Sequence, residues 1–199
     1  MVVQSSSTRL RHRPVKGTFR ICVIGHLRTV KDPLRTLRAL QYVAADVEVI
    51  QLGALLEKEL KPATADRRYR WLGSVPHGRA LKWLASSHAM VISSRMEGGA
   101  NVVCEALRIG VPVLASRISG NVGLLGERYA GYFRVGDERD LARLIEKAMD
   151  KMFYRKLERQ IASLRGMVSP RNEARALLAT FASLRRPPPS HRRRSGRTT

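Results

Sequence analysis

The chain has 199 residues, 37 of them lysine or arginine and 16 aspartate or glutamate, for a formal net charge of +21. A hydrophobic content of 44% suffices for one α/β core and excludes a wholly disordered chain, and 6% aromatic residues argue against a binder that stacks single-stranded bases. Two cysteines and five scattered histidines show neither a disulfide framework nor metal-ligand spacing. No run of residues is long and apolar enough for a membrane span, and we expect a cytoplasmic protein.

Strand and helix patterns alternate along the chain. This alternation predicts an α/β fold, a single Rossmann-like domain whose parallel sheet is flanked by helices. The predicted strands are 20–24, 47–52, 69–72, 89–93, 111–115 and 131–135. The predicted helices are about 34–43 (with Asp32 and Pro33 as its N-cap and first residue), 55–60, 78–86, 101–109, 141–148, 153–166 and 171–185.

The basic excess is concentrated at the two ends of the chain, where residues 1–18 and 185–199 contain no acidic residue. We predict a disordered basic segment over 1–18, a folded domain with C-terminal helices over 19–185, and a disordered Arg/Pro-rich tail over 186–199. Such ends can attract nucleic acid or membrane phosphate. An arginine-rich composition with solvated ends explains the same charge, and neither end contains a groove-reading motif.

Three predicted loops follow strands at one edge of the sheet: Gly25–Lys31, Gly73–His77 and Ser94–Asn101. Ligands of open parallel sheets bind at this carboxyl edge. The loops are therefore the candidate site, with Gly73 and Val75 offering backbone groups to a base. A plain turn at 73–77 is the alternative.

The most informative segment is Glu97-Gly-Gly-Ala-Asn-Val-Val-Cys-Glu105. Gly98 and Gly99 allow the backbone to approach a ligand closely, and the following helix N-terminus attracts phosphate. Carboxylates accept hydrogen bonds from sugar hydroxyls, so Glu97 and Glu105 on either side of this loop indicate a sugar–phosphate ligand. The alternative is an ordinary glycine-rich turn with two surface acids.

Two cations follow the first predicted strand. Arg28 and Lys31 are spaced so that both can reach the same edge and clamp a diphosphate. In so basic a chain, solvated surface charge is the alternative.

Together these residues resemble the signature of retaining GT-B glycosyltransferases of family 4. Seven residues separate the two Glu, Ser-Arg-Met precedes them, and Ala-Leu-x-x-Gly-x-Pro-Val follows. The resemblance covers about residues 19–150 and implies the C-terminal, nucleotide-sugar-binding half of a GT-B fold. His26 stands where the family has Arg, Asp32 stands at the second Gly, and Lys31 matches.

The resemblance also implies residue roles. Glu105 would hold the ribose hydroxyls beside the nucleotide-binding Gly73 and Val75, and Glu97 would contact the donor sugar. Arg28, Lys31 and Glu97 are the catalytic candidates. The candidates for binding the donor sugar and diphosphate are Gly25, Gly98, Gly99, Ala100, Asn101 and Val102.

A narrower likeness is to the selenosugar synthases of selenoneine biosynthesis, which join selenophosphate to the sugar of a UDP-sugar. It rests on Gly-His-Leu-Arg-x-Val-Lys-Asp-Pro from Gly25, Arg-Tyr-Arg-Trp-Leu-Gly from Arg68, Ile-Ser-Ser-Arg-Met-Glu-Gly-Gly-Ala-Asn-Val-Val from Ile92, and Ser-Gly-Asn-Val-Gly from Ser119. It implies a UDP-sugar donor and a selenophosphate acceptor.

The resemblance implies no cofactor and no metal, since the nucleotide sugar is a substrate. It also implies an acceptor domain before residue 19, which this chain does not contain, so we expect the chain alone to turn over donor poorly. A nucleotide-sugar-binding remnant without activity is the main alternative, and a basic nucleic-acid-binding module ranks last.

Overall fold

The computed structural model describes residues 10–98 and 100–166, and its centre is a six-stranded parallel sheet. The six strands and the α/β class agree with the prediction. The strand order is β3-β2-β1-β4-β5-β6. The strands are β1 (Phe19–Ile24), β2 (Val47–Leu52), β3 (Tyr69–Trp71), β4 (Ala89–Ile92), β5 (Val113–Ser116) and β6 (Tyr132–Phe133).

Among the described residues, six α-helices flank the sheet. Every residue of β4 and β5 is buried, as expected for parallel strands covered on both faces. Strand β5 begins two residues later than predicted, since Pro112 has no N–H to give to the ladder. The helices are α1 (Arg35–Ala39), α2 (His77–Ala85), α3 (Asn101–Ile109), α4 (Ser119–Leu125), α5 (Glu138–Met149) and α6 (Lys151–Leu164).

The first helix is shorter than predicted, and Asp32 is not its N-cap. A single 3-10 turn over Thr29–Lys31 follows β1, and Asp32 then adopts a left-handed conformation with φ of 45°. An N-cap residue has extended backbone, so a left-handed Asp32 cannot take that position. The chain becomes α-helical only at Arg35, whose N–H donates to the Asp32 carbonyl.

The prediction of a helix over 55–60 is also wrong, because no residue of this segment is α-helical. Leu55 pairs with Leu27 in a parallel bridge that prolongs the β1–β2 ladder, and only Lys58–Leu60 forms a 3-10 turn. Helix α4 was not predicted, because Gly120 and Gly123 weaken its helical pattern.

Residues 12–15, which belong to the predicted basic segment over 1–18, make backbone hydrogen bonds to the folded domain. The backbone N–H groups of His12, Arg13 and Val15 donate to carbonyls at the C-terminal ends of α2 and α3. These bonds satisfy carbonyls that a helix end leaves unpaired. The segment thus lies across the amino edge of the sheet, opposite the predicted site.

The described residues through Arg165 form one compact unit. None of the helices in this part of the chain has the length and apolarity of a membrane span. Several predictions lie outside the described residues: the start of the basic segment (1–9), Gly99, the helix over 171–185 and the tail over 186–199.

Candidate functional site

A pocket opens where the strand order reverses, between β1 and β4. The loops after these two strands diverge to opposite faces of the sheet, which leaves a crevice at its carboxyl edge. The pocket is small, with a cavity volume of about 30 Å³, and it is open to solvent on one side. Its polar lining comes from the two loops and from β2: Gly25, His26, Lys31, Gln51, Ser93, Ser94 and Glu97.

Lys31 and Glu97 form an ion pair inside this pocket. The Lys31 ammonium bonds to Glu97 Oε1, and the Ser94 hydroxyl donates to the same oxygen at 2.8 Å. The Glu97 side chain is 11% exposed and that of Lys31 is 34% exposed, so the pair is partly shielded but reachable. A ligand with both an anion and hydroxyl groups has a partner for each member of the pair.

The two loops that carry this pair are tied together. The Ser93 hydroxyl donates to the carbonyls of Lys31 and Asp32 at 3.1 and 2.8 Å, and the Arg95 N–H donates to Val30 at 2.9 Å. Lys31 is therefore held at its backbone by the loop that leads from β4 to Glu97.

A buried charge network stabilises the 3-10 turn that contains Lys31. Arg35 is 5% exposed, pairs with Asp32 at 2.9 Å and also bonds to Glu138 of α5. A buried charge without a partner is strongly destabilising, and Arg35 has two carboxylate partners here. The family resemblance leads one to expect Gly at position 32, and glycine has no carboxylate. The Asp32 carboxylate present here anchors the Lys31 turn to α1 and, through Arg35, to α5.

The Glu97 backbone lies against the start of α4. A Cβ on Gly120 would be 2.1 Å from the Glu97 carbonyl oxygen, a separation only glycine permits. The Ser116 hydroxyl donates to the Ser94 carbonyl at 2.6 Å, and Asn121 of α4 donates to the Ser116 carbonyl at 2.8 Å. Helix α4 therefore fixes the loop that carries the carboxylate.

Arg28, the other predicted cation, lies outside the pocket lining. Its side chain is exposed and close enough to Glu57 to affect that carboxylate. The hydroxyl and N–H of Thr29 both donate to Glu57, and with the Arg28 charge they hold the pKa of Glu57 below its usual range. The structure thus brings Lys31 and Glu97 together and places Arg28 beside a different acid.

The predicted nucleotide-binding residues lie outside this pocket. Glu105, in α3, bonds to His77 at the start of α2, with 2.7 Å between Oε1 and Nε2. The loop containing Gly73 and Val75 leads into that same helix start. The sequence does not predict that His77 pairs with Glu105, since nothing local indicates that α2 begins beside α3.

The remaining predicted residues lie along the glycine-rich loop and at the start of α3. Val102 lines the pocket, Ala100 is buried just before α3, and Gly98 and Asn101 are exposed. In the described part of the chain, no three His, Cys, Asp or Glu side chains cluster as a metal site requires.

The family model described as "Glycosyl transferases group 1" matches residues 6–163 of the chain. No curated protein sequence matches it. Three solved structures illustrate the fold. Anabaena Alr3699/HepE, solved with UDP and glucose, shares 20% identity with a TM-score of 0.69, over 83% of this chain and 48% of that one.

A glycosyltransferase from Rickettsia africae ESF-5 shares 14% identity with a TM-score of 0.71, over 87% of this chain and 50% of that one. Sucrose-phosphate synthase from Thermosynechococcus elongatus shares 18% identity with a TM-score of 0.68, over 83% and 45%. This chain spans about half the length of these structures.

Proposed function

Because the chain belongs to the group 1 glycosyl transferases, we propose that its pocket binds a nucleotide-diphosphate sugar, most simply a UDP-sugar, as the donor for glycosyl transfer. The observation that carries the proposal is the Lys31–Glu97 pair at the strand-order reversal. A cation and a carboxylate side by side match the anionic and hydroxyl-rich parts of such a donor. HepE was solved in complex with UDP and glucose, which supports this choice of probe.

We propose that the phosphate end of the donor lies over Lys31 and the N-terminus of α3. When the glycosidic bond breaks, negative charge accumulates on the leaving diphosphate. A cation and unpaired helix amides stabilise that charge without any change of geometry. The amides would be those of Gly98 to Val102, with Gly25 approaching from the opposite loop, and Arg28 would have to move from Glu57 to contribute.

Glu97 would orient the sugar, accepting hydrogen bonds from its hydroxyls. Glu105 would accept from the ribose hydroxyls, with the base against backbone groups of Gly73 and Val75. Since Glu105 is bonded to His77, ribose binding would compete with that bond or share it.

The finer assignment is a family 4, retaining enzyme whose acceptor is selenophosphate. It rests only on the sequence likeness of the 25–33, 68–73, 92–103 and 119–123 segments. Its test is selenophosphate-dependent release of UDP from a UDP-sugar. If UDP is released with another acceptor but not with selenophosphate, this assignment is wrong and the proposed donor site still stands.

Because the chain spans about half of the matched structures, we propose that it supplies donor binding and that a second domain supplies the acceptor. A nucleotide-sugar-binding protein without turnover is therefore the second candidate function. Adding such a domain in trans separates the two candidates, since turnover appears only if the donor site is competent.

The direct test is calorimetric titration of the full chain with UDP and with UDP-glucose. Lys31→Ala should weaken both ligands, since it removes the charge on the phosphate side. Glu97→Ala should weaken only the advantage of UDP-glucose over UDP. Lys82→Ala, an exposed lysine of α2, is the matched control and should bind like the parent. If Lys31→Ala and Glu97→Ala also bind like the parent, the site assignment fails.

A further inference from the structure

His26 lines the same pocket as Lys31 and Glu97, and its ring is exposed. The sequence gives it no predicted role, because it stands where the resemblance leads one to expect an arginine. Arg28, the substitute cation suggested by sequence, lies instead beside Glu57.

The hydrogen bonds of the ring determine which nitrogen carries its proton. The Ala54 N–H donates to His26 Nδ1 at 3.1 Å. A nitrogen that accepts from an amide carries no proton, so the neutral ring carries it on Nε2. Within the described residues nothing bonds to Nε2, so the ring keeps one unused N–H donor in the pocket.

The backbone beside His26 is fixed by the neighbouring β2 loop. The Gly25 N–H donates to Leu52 at 2.9 Å, and buried Gln51 donates to the Gly25 carbonyl at 3.3 Å. Gly53 packs so closely that a Cβ there would be 2.0 Å from the same carbonyl. The backbone at His26 is thus fixed, and the Ala54 bond orients the ring before any ligand arrives, which lowers the cost of using it as a donor.

We propose that His26 donates its Nε2–H, as a neutral group, to an oxygen of the donor diphosphate beside Lys31. The inference rests on the proposed function and adds a residue and a mode of recognition to it. Lys31 supplies the positive charge, and His26 supplies a directional hydrogen bond to the same anion. The Ala54 amide, rather than protonation, keeps His26 in the donating form.

Two substitutions separate the two nitrogens. In His26→Asn the side-chain oxygen can replace Nδ1 as acceptor for Ala54, but the donor at the Nε2 position is lost. In His26→Gln the longer side chain can place an N–H near the Nε2 position, but the acceptor for Ala54 is lost. The full chain and both variants are titrated with UDP and with uridine, and their thermal unfolding is measured without ligand.

We expect His26→Asn to unfold like the parent and to bind UDP about tenfold more weakly, the loss of one hydrogen bond to a charged group. His26→Gln should bind UDP within about threefold of the parent and unfold at a lower temperature. Uridine, which has no phosphate, should bind all three alike.

Unchanged UDP binding by His26→Asn, while Lys31→Ala loses it, would overturn this inference alone. Equal losses of UDP affinity in both His26 variants would do the same. An equal loss of uridine binding would also overturn it, because the contact would not then be to phosphate. Failure of the parent chain to bind UDP would overturn the proposed function, and this inference with it.

Discussion

Gly120 lies where α4 meets the loop that carries Glu97, and replacing it with alanine tests that contact. The new Cβ would be 2.1 Å from the Glu97 carbonyl oxygen, 2.8 Å from its carbonyl carbon and 3.3 Å from its Cβ. The nearest of these distances must open to at least 3.0 Å, a shift of about 0.9 Å. The two nearest atoms are backbone, and rotation of the side chain does not move Cβ, so a side-chain rotation cannot relieve the overlap.

The expected cost follows from two opposing effects. Overpacking of this kind destabilises a fold by about 1–3 kcal/mol, and the better helix propensity of alanine returns about 0.5–1 kcal/mol. We therefore expect Gly120→Ala to lower the free energy of unfolding by about 0.5–2 kcal/mol. A methyl group on Gly123, in the same helix, would meet nothing within 4 Å, so Gly123→Ala should raise it by up to about 1 kcal/mol.

Urea denaturation of the parent and both variants measures the stability effect. Titration with UDP and UDP-glucose measures the site, because a displaced Glu97 should reduce the advantage of UDP-glucose while UDP binding stays near that of the parent. The reasoning is refuted if Gly120→Ala unfolds within about 0.3 kcal/mol of the parent or if both glycine variants shift stability in the same direction.

Two further predictions concern buried charge. Arg35→Ala should lower the free energy of unfolding by about 3–5 kcal/mol, because it leaves Asp32 and Glu138 without their shared partner. Replacing the exposed Arg38 of the same helix with alanine should have little effect. Equal unfolding midpoints of the two variants would contradict this prediction. Burial holds the pKa of His12 below its ordinary value of 6.5, so the unfolded chain takes up its proton first and stability should fall as pH drops below about 6.5. In His12→Gln, the free energy of unfolding should depend less on pH, because one buried titratable group is gone. Denaturation curves recorded between about pH 7.5 and pH 5 measure this dependence.

The alternation of apolar runs and amphipathic segments determined the α/β class and located each of the six strands within a few residues. Parallel strands covered on both faces appear as short, nearly continuous apolar runs, whereas the helices between them show apolar residues at helical spacing. The glycine-rich turn between Glu97 and Glu105 was equally visible, since its residues adjoin in the chain. These features depend only on local order.

Local reasoning failed where a distant partner overrides propensity. Asp32 followed by a proline reads as a helix cap, yet contacts with Ser93 and Arg35 place it in a left-handed turn. Leu55 reads as the start of a helix, yet pairing with Leu27 draws it into the ladder. Over a segment of only a few residues, helix propensity contributes less free energy than tertiary hydrogen bonds and strand pairing.

The pairing of the site residues was decided by the tertiary structure. Lys31 and Glu97 are 66 positions apart and meet because β4 pairs with β1, so that the loops after both strands flank one crevice. The same order leaves Arg28 beside Glu57 and gives His26 its bond to Ala54. Charge and spacing identify which residues can bind an anion, but strand order decides which of them face the same pocket.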